Sequence, residues 1–188
     1  MSQGKIIIVT APSGSGKTSI VRYLLDKYPQ RLGFSISATT RKPRGNEVEG
    51  KDYYFLSEEV FKQKIRKNEF VEWEMVYEGK YYGTLESELT RLWGNGKTPV
   101  LDIDVKGALH IQQRFPKTAV SIFVEPPSVE ELERRLKGRG TESKESLEAR
   151  VNKAAYELSF KNHFNYTILN NDLEKACKEA ESIITPLF

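Results

Sequence analysis

The chain has 188 residues, of which 38% are hydrophobic, enough for one domain with a sizeable core. Its formal charge of +3 is only mildly basic and does not indicate a nucleic-acid-binding protein. No apolar stretch approaches a membrane span and no signal-peptide pattern is present, while a single cysteine, Cys177, excludes an intramolecular disulfide. A cytoplasmic, reducing compartment fits these features best.

The first predicted strand, Lys5 to Thr10, is an apolar run rich in β-branched residues. A helix is predicted after Lys17, because apolar residues then recur at helical spacing up to Pro29. Between the two stands APSGSGKT, which matches the phosphate-binding motif G-x-x-x-x-G-K-[ST] except that Ala11 replaces the first glycine. Strand, loop and helix follow one another in the order that this motif requires.

This loop is expected to hold the phosphates of a nucleoside triphosphate. Gly14 and Gly16 allow backbone N–H groups to curl around a phosphate, and the helix N-terminus adds partial positive charge. Lys17 can reach the outer phosphates, and the Thr18 hydroxyl can ligate magnesium. A glycine- and serine-rich turn that only resembles the motif is the alternative. The loop residues predicted to bind the triphosphate, which the resemblance described below implies is ATP, are Ala11, Pro12, Ser13, Gly14, Ser15, Gly16, Lys17 and Thr18.

Helical patterns separate most of the apolar runs, which predicts a parallel sheet with helices on both faces. The predicted core strands are Lys5–Thr10, Leu32–Ser37, Pro99–Asp104, Ala119–Glu125 and Tyr166–Asn170. Ser128 with Glu131 and Asn171 with Glu174 are typical of capping boxes at helix starts.

An aromatic-rich segment, Tyr53 to Gly83, interrupts this pattern and predicts a small β-rich insertion. Val71, Trp73 and Met75 alternate with two glutamates, which predicts a half-buried strand whose polar face carries the glutamates. Glu78-Gly79 predicts a turn. An insertion that leaves the carboxyl end of a sheet strand is well placed to cover a second substrate.

Basic residues follow the second predicted strand in SISATTRKPRGNEVEGKDYYF. Arg41 and Arg44, with Ser37 and Tyr53 nearby, suit the dianion of a phosphate monoester. A solvated basic loop remains the alternative. Glu72 alone is more typical of a surface glutamate on a half-buried strand.

Two aspartates stand at the end of the predicted strand in PVLDIDVKG. Asp102 and Asp104 are two residues apart, so both should point to one face. An aspartate at a strand end in a phosphate-loop protein often orients magnesium. For Asp104, capping of the next helix is an equally good interpretation.

A second basic cluster lies in ERRLKGRGTESKESLEARV, around the glycines at 138 and 140. Arg135, Arg139 and Arg150 could close over a transferring phosphate and stabilise its charge. The alternative is a solvated helix with Glu–Arg pairs, and this alternative is preferred for Arg134.

Taken together, these residues resemble the guanylate kinase family. The resemblance runs from Ala11 to Asp172 and rests on motifs that occur in the family's order: SATTRKPR, GKDYYF, EFVEW, YYGT, LDIDVKG, PPSVEELERRL and GRGTES. Ala11, where the family usually has glycine, is the one departure.

The resemblance implies a set of site residues. It puts the phosphate of GMP on Ser37, Arg41, Arg44, Tyr53 and Tyr82. It puts guanine against Glu72 and Thr84, with Asp102 or Asp104 near the base and the metal; the predicted Mg²⁺ ligands are Thr18 and Asp102. Its arginines at the ATP phosphates correspond to Arg135, Arg139 and Arg150, and its adenine contact to Asn170. The implied catalytic residues are Lys17, Arg44, Arg135, Arg139 and Arg150.

The resemblance also implies an activity and an organisation. The activity is phosphorylation of GMP by ATP, without nucleic-acid or membrane partners, in a monomer or weak homodimer. The expected parts are a core of residues 1–36, 85–125 and 160–188, a GMP-binding subdomain of residues 37–84, and a lid of about residues 126–159. Two alternatives stay open: a non-catalytic binding module of this family, and a phosphate-loop kinase for another monophosphate.

Overall fold

The computed structural model describes residues 4–137 and 144–188 of the chain. The elements follow in the order β1 (Ile6–Thr10), α1 (Lys17–Lys27), β2 (Leu32–Phe34), β3 (Ser37–Thr39), β4 (Tyr53–Phe55), α2 (Glu58–Arg66), β5 (Phe70–Tyr77), β6 (Lys80–Leu85), α3 (Glu86–Gly94), β7 (Thr98–Ile103), α4 (Val105–Arg114), β8 (Ala119–Glu125), α5 (Val129–Lys137), α6 (Lys144–Leu158), β9 (Tyr166–Leu169) and α7 (Leu173–Ile184). No helix in these described ranges is long and apolar enough to cross a membrane.

The main sheet has five parallel strands, as predicted, and their order is β2-β7-β1-β8-β9. Its centre is β1, whose alternating residues enter two different cores because successive side chains point to opposite faces. Ile7 and Val9 pack with buried residues of α1 and α7 on one face. Ile6 and Ile8 pack with buried residues of α3 and α4 on the other. Helices therefore cover both faces of the sheet.

The second predicted strand was wrong in one respect, since it is not continuous from Leu32 to Ser37. β2 ends at Phe34, and Ser37 begins β3 in another sheet. The Ser35 N–H still donates to the Val100 carbonyl at 3.0 Å, but the Ile36 N–H donates to the Glu88 carboxylate at 3.0 Å. The chain changes sheets at this point because a side chain, rather than the next strand, takes over the backbone hydrogen bond.

The second sheet is mixed, with the order β4-β3-β6-β5, and corresponds to the predicted insertion. It has a small apolar core of its own, formed by Ala38, Phe61, Phe70 and Leu85. The predicted turn at Glu78-Gly79 joins β5 to β6, and Gly79 adopts φ 67°, a value that favours glycine.

The predicted faces of β5 were wrong. Glu72 is buried, with 7% of its surface exposed, whereas Trp73 and Met75 on the expected apolar face are 40% and 52% exposed. The pairing with β6 is irregular between Phe70 and Glu72, so two steps along β5 match one step along β6. This bulge lets the neighbouring Val71 pack into the main core while Glu72 also points inward.

At one of the two predicted capping boxes, the predicted residue, Ser128, caps the start of its helix. The Ser128 hydroxyl accepts a hydrogen bond from the Glu131 N–H at 3.1 Å. The other prediction was wrong by one residue, because Asp172 rather than Asn171 caps α7 and accepts from the Lys175 N–H at 3.0 Å. Asn170 extends the pairing beyond β9 by donating its N–H to the Glu125 carbonyl, which moves the helix start along the chain.

Candidate active site

A cavity of about 270 Å³ lies at the carboxyl ends of β1 and β7. One wall is the phosphate loop, residues 11–18, and the opposite wall belongs to the second sheet. Gly14 and Gly16 adopt φ 94° and 89°, as a loop curled around an anion requires. Asn68 is the only non-glycine residue with positive φ in the described ranges, so Ala11 has an ordinary backbone conformation. Alanine therefore fits at the first position of the motif.

Lys17, Thr18 and Asp102 form one connected group on the loop side of this cavity. The Lys17 ammonium lies 2.7 Å from Oδ1 of Asp102 and donates to the Ile103 carbonyl at 2.9 Å. The Thr18 hydroxyl donates to Oδ2 of Asp102 at 2.9 Å. Burial alone would lower the pKa of Lys17, but the Asp102 carboxylate outweighs it and the pKa is raised. Lys17 is therefore a permanent positive charge at the phosphate loop.

Four of the residues predicted to hold the acceptor phosphate line the same cavity, namely Ser37, Arg44, Tyr53 and Tyr82. Arg41, also predicted there, is not among the lining residues. Its buried guanidinium makes a two-pronged ion pair with Glu47, at 2.5 and 2.7 Å, and donates to the Tyr82 hydroxyl at 3.1 Å. It also lies 4.6 Å from the Tyr53 ring centre. Arg41 thus contacts both tyrosines without lining the cavity itself.

Glu72 and Thr84 face each other across β5 and β6 and are both buried. The Thr84 hydroxyl donates to Oε1 of Glu72 at 2.7 Å, and Glu72 lines the cavity. Burial raises the pKa of Glu72 to about 8; the Thr84 hydrogen bond opposes this rise, and the charge of Asp104 adds to it. Thr84, predicted as a base contact, therefore orients Glu72.

The two aspartates at the end of β7, Asp102 within the strand and Asp104 just after it, both line the cavity but have different partners. Asp102 belongs to the Lys17 group. Asp104 caps α4, since its Oδ1 accepts from the Gly107 N–H at 2.9 Å, and its Oδ2 lies 3.8 Å from the Lys153 ammonium. The capping interpretation of Asp104 is therefore confirmed.

Three lining or neighbouring residues were not anticipated from the sequence. Lys153 and Glu157 of α6 line the cavity next to Asp104, with Glu157 only 6% exposed and 3.4 Å from the Lys153 ammonium. Burial raises the pKa of Glu157, although Lys153 opposes the rise. Gly107 is the third, because a Cβ there would lie 2.7 Å from Oε2 of Glu72. In the sequence, Lys153 and Glu157 form an ordinary i,i+4 pair and carry no distinguishing signal.

Arg135 and Asn170 lie behind the phosphate loop rather than in the cavity lining. Arg135 donates to Oε1 of Glu131 at 2.8 Å and to the Asn170 carbonyl at 3.2 Å. Arg134 is 76% exposed and forms an ion pair with Glu131 at 2.7 Å, three residues earlier on the same helix, which agrees with the solvated pair predicted for it. Arg139 and the side chain of Arg150 lie outside the described part of the chain.

The sequence model of the family described as guanylate kinase matches residues 3–187. The chain belongs to the guanylate kinase family. It is 48% identical to the guanylate kinase of Bacteroides thetaiotaomicron over 181 residues, or 96% of this chain and 88% of the relative. It is 46% identical to that of Porphyromonas gingivalis over 96% of each chain. The crystal structure of guanylate kinase from Anaplasma phagocytophilum superimposes with TM-score 0.77 at 31% identity, covering 99% of this chain and 87% of that one.

The buried Glu72 of this guanylate kinase family member predicts a pH-dependent stability. The folded protein binds the Glu72 proton more tightly than the unfolded chain, so stability falls as pH rises from about 4.5 through about 8. Glu72→Gln removes this charge and keeps an oxygen for Thr84. We expect its advantage in unfolding free energy to widen by on the order of a few kcal/mol between pH ~5 and pH ~9.

Thermal or urea unfolding of both proteins across this range measures the difference. The exposed Glu78, in the turn after β5, provides the control substitution Glu78→Gln, for which no such widening is expected. If the difference in unfolding free energy between Glu72→Gln and the wild-type chain were the same at all pH values, the raised pKa of the buried Glu72 would be contradicted.

Proposed function

We propose that this chain transfers the γ-phosphoryl group of ATP to GMP, giving ADP and GDP, inside the cavity described above. One observation carries the proposal: a single cavity is lined by the phosphate loop on one wall and by Arg44, Tyr53, Tyr82 and Glu72 on the other. The two walls carry donors for two phosphate groups and an acceptor for a base. Membership of the guanylate kinase family supports the same reaction.

On the donor side, the backbone N–H groups of the phosphate loop and the Lys17 ammonium would hold the ATP phosphates. The Thr18 hydroxyl and the Asp102 carboxylate fit Mg²⁺, which prefers oxygen ligands and usually takes only one or two from the protein. The bound ion would neutralise charge at the phosphates. We include in the same proposal the predicted contacts of three arginines with the ATP phosphates, those of Arg135, Arg139 and Arg150.

On the acceptor side, Ser37, Arg44, Tyr53 and Tyr82 would bind the GMP phosphate, with Arg41 holding the tyrosines in position. Glu72 would bind guanine by giving up the proton that burial favours, because the ionised carboxylate accepts from N1–H and the 2-amino group together and these two donors stabilise its charge. Thr84 restricts that carboxylate to one orientation. Asp104 carries a second carboxylate beside the base.

The chemistry needs no general base. An oxygen of the GMP phosphate attacks the γ-phosphorus, a new P–O bond forms, and the bond to the bridging oxygen breaks with its electron pair leaving on ADP. The attacking phosphate is largely dianionic near neutrality, since its second pKa is about 6. Neither His110 nor His163 lines the cavity. Catalysis would therefore rest on alignment and charge neutralisation, chiefly by Lys17 and the arginines.

The wider organisation is part of the same proposal. Residues 37–84 would act as the GMP-binding subdomain, residues 126–159 as the lid, and the remainder as the core. We place the protein in the cytoplasm as a monomer or weak homodimer that acts on small molecules and not on nucleic acid.

The direct test is to incubate the purified chain with ATP and GMP and to separate the products by chromatography. Equal amounts of GDP and ADP are expected. A non-catalytic binding module would give no GDP, and a kinase for another monophosphate would give GDP only slowly compared with its own product.

Gly107 provides a prediction about the base site. Gly107→Ala should push the Glu72 carboxylate away from its bond to Thr84 and raise KM for GMP about five- to tenfold, the loss of roughly one good hydrogen bond. Stability should be unchanged or slightly higher, because alanine favours a helix over glycine by up to about 1 kcal/mol. Steady-state kinetics with GMP and a thermal melt measure both effects.

The matched control is Gly94→Ala at the end of α3, where a Cβ would meet nothing within 4 Å. It should leave KM for GMP unchanged. Equal KM values for Gly107→Ala and the wild-type chain would contradict the prediction, because they would show that a Cβ at position 107 does not disturb the Glu72 carboxylate.

A further inference from the structure

Asn170 makes a buried contact with the phosphate loop. It follows β9, is 4% exposed, and its side-chain amide donates to the Ser15 carbonyl at 2.7 Å across 155 positions of sequence. The backbone of Asn170 is hydrogen-bonded as well: its N–H donates to the Glu125 carbonyl at 2.8 Å, and its carbonyl accepts from the Arg135 guanidinium at 3.2 Å. The side chain is not among the residues that line the cavity. The side-chain amide of Asn170 is thus engaged by the phosphate loop, and the adenine contact implied by the resemblance stays a prediction.

Peptide geometry gives this contact a consequence for phosphate binding. Ser15 and Gly16 share one planar trans peptide, in which the C=O of Ser15 and the N–H of Gly16 point in opposite directions. Asn170 holds the Ser15 carbonyl but does not line the cavity, whereas Ser15 and Gly16 do. We infer that the carbonyl points away from the cavity and that the Gly16 N–H therefore points towards it. That N–H belongs to the set expected to cradle the phosphates.

Gly16 and Asn170 lie so close together that only glycine fits at position 16. Gly16 adopts φ 89°, and a Cβ there would lie 2.2 Å from the Asn170 amide nitrogen. A side chain at position 16 would therefore expel the amide from the Ser15 carbonyl. Without Asn170, that buried carbonyl would lose its side-chain partner, and leaving a buried polar group unpaired is costly.

We propose that Asn170 is a positioning residue that fixes the Ser15–Gly16 peptide of the phosphate loop, and so acts on the phosphates of the donor rather than on its base. The proposal rests on the proposed ATP site and adds a residue that does not touch ATP. By holding Arg135 through its carbonyl, Asn170 also ties α5 to the same loop.

The test measures binding of ATP, of inorganic tripolyphosphate with magnesium, and of GMP by calorimetry, for the wild-type chain and for Asn170→Ala and Asn170→Asp. Asp has nearly the same shape as Asn but an ionised carboxylate cannot donate to a carbonyl, so it preserves packing if Ala does not fold. We expect both variants to weaken ATP and tripolyphosphate by the same factor of about ten or more. Affinity for GMP should change less than about twofold.

The matched control is Asn171→Ala, which alters the exposed neighbouring asparagine and should leave all three affinities unchanged. Weakening of ATP alone, with tripolyphosphate unaffected, would reassign Asn170 to the base and overturn the proposal. A lower melting temperature of the Asn170 variants with unchanged affinities would show that Asn170 serves only in packing and would overturn the proposal. Failure of the wild-type chain to bind tripolyphosphate would also contradict the proposal. These are binding measurements, so their failure is distinct from failure to form GDP.

Discussion

Lys17→Met is expected to lower kcat by at least ~10³, the scale of removing one key charge from a preorganised site. The Lys17 ammonium is the cation that the phosphate loop itself supplies to the cavity, and its raised pKa keeps it charged at every pH of interest. Methionine preserves the length of the side chain but neither donates hydrogen bonds nor neutralises phosphate. The loss should appear in kcat, because charge on the phosphates develops most strongly in the transition state.

The fold should survive this substitution, since Lys17 lies at the start of α1 and Asp102 keeps its hydrogen bond from Thr18. Lys27→Met is the matched control, because Lys27 lies at the other end of the same helix and pairs with Glu181 at the surface. Its kcat should equal that of the wild-type chain. Near-wild-type turnover by Lys17→Met, measured by ADP release, would remove the phosphate loop from the reaction.

Glu72→Ala is expected to abolish most of the preference for GMP over AMP. Adenine has an acceptor at N1 and no 2-amino group, so an ionised Glu72 facing it would be buried and unpaired. Sites built to hydrogen-bond a substrate reject analogues that lack the group by ~10⁴ or more in kcat/KM. Truncation should cost about 2–4 kcal/mol of this discrimination, on the scale of a buried charged contact.

Arg44→Ala is the informative comparison, because Arg44 lines the cavity and is expected to bind phosphate, which carries no information about the base. It should weaken GMP and AMP by similar factors. If instead Glu72→Ala left the GMP:AMP ratio unchanged, selection of guanine would have to be assigned to another carboxylate, and Asp104, which lies beside Glu72 at Gly107, would be tested next.

Much of the core could be predicted because its signals are local. The run Lys5–Thr10 is β-branched and apolar since it lies between two cores, and the loop after it carries its glycines where φ is positive. Asp102 and Asp104 share the cavity because alternate residues of a strand share a face. These inferences needed only the spacing of residues within one element.

The features that the sequence did not indicate are those that an irregularity or a distant contact decides. The bulge before Glu72 reverses the faces that simple alternation predicts for β5. Arg41 is drawn to Glu47, six positions away in a loop whose path no periodicity encodes. Asn170 meets the phosphate loop across nearly the whole sequence. Such contacts depend on the assembled sheet and leave no pattern in the neighbouring residues.

A panel of acceptors tests the central claim most directly. The wild-type chain is supplied with ATP and, separately, with GMP, AMP, CMP and UMP, and ADP release is followed together with formation of each diphosphate. GMP should exceed every other acceptor in kcat/KM, with AMP lower by ~10⁴ or more. Equal or faster phosphorylation of another monophosphate, or no phosphoryl transfer to GMP, would contradict it.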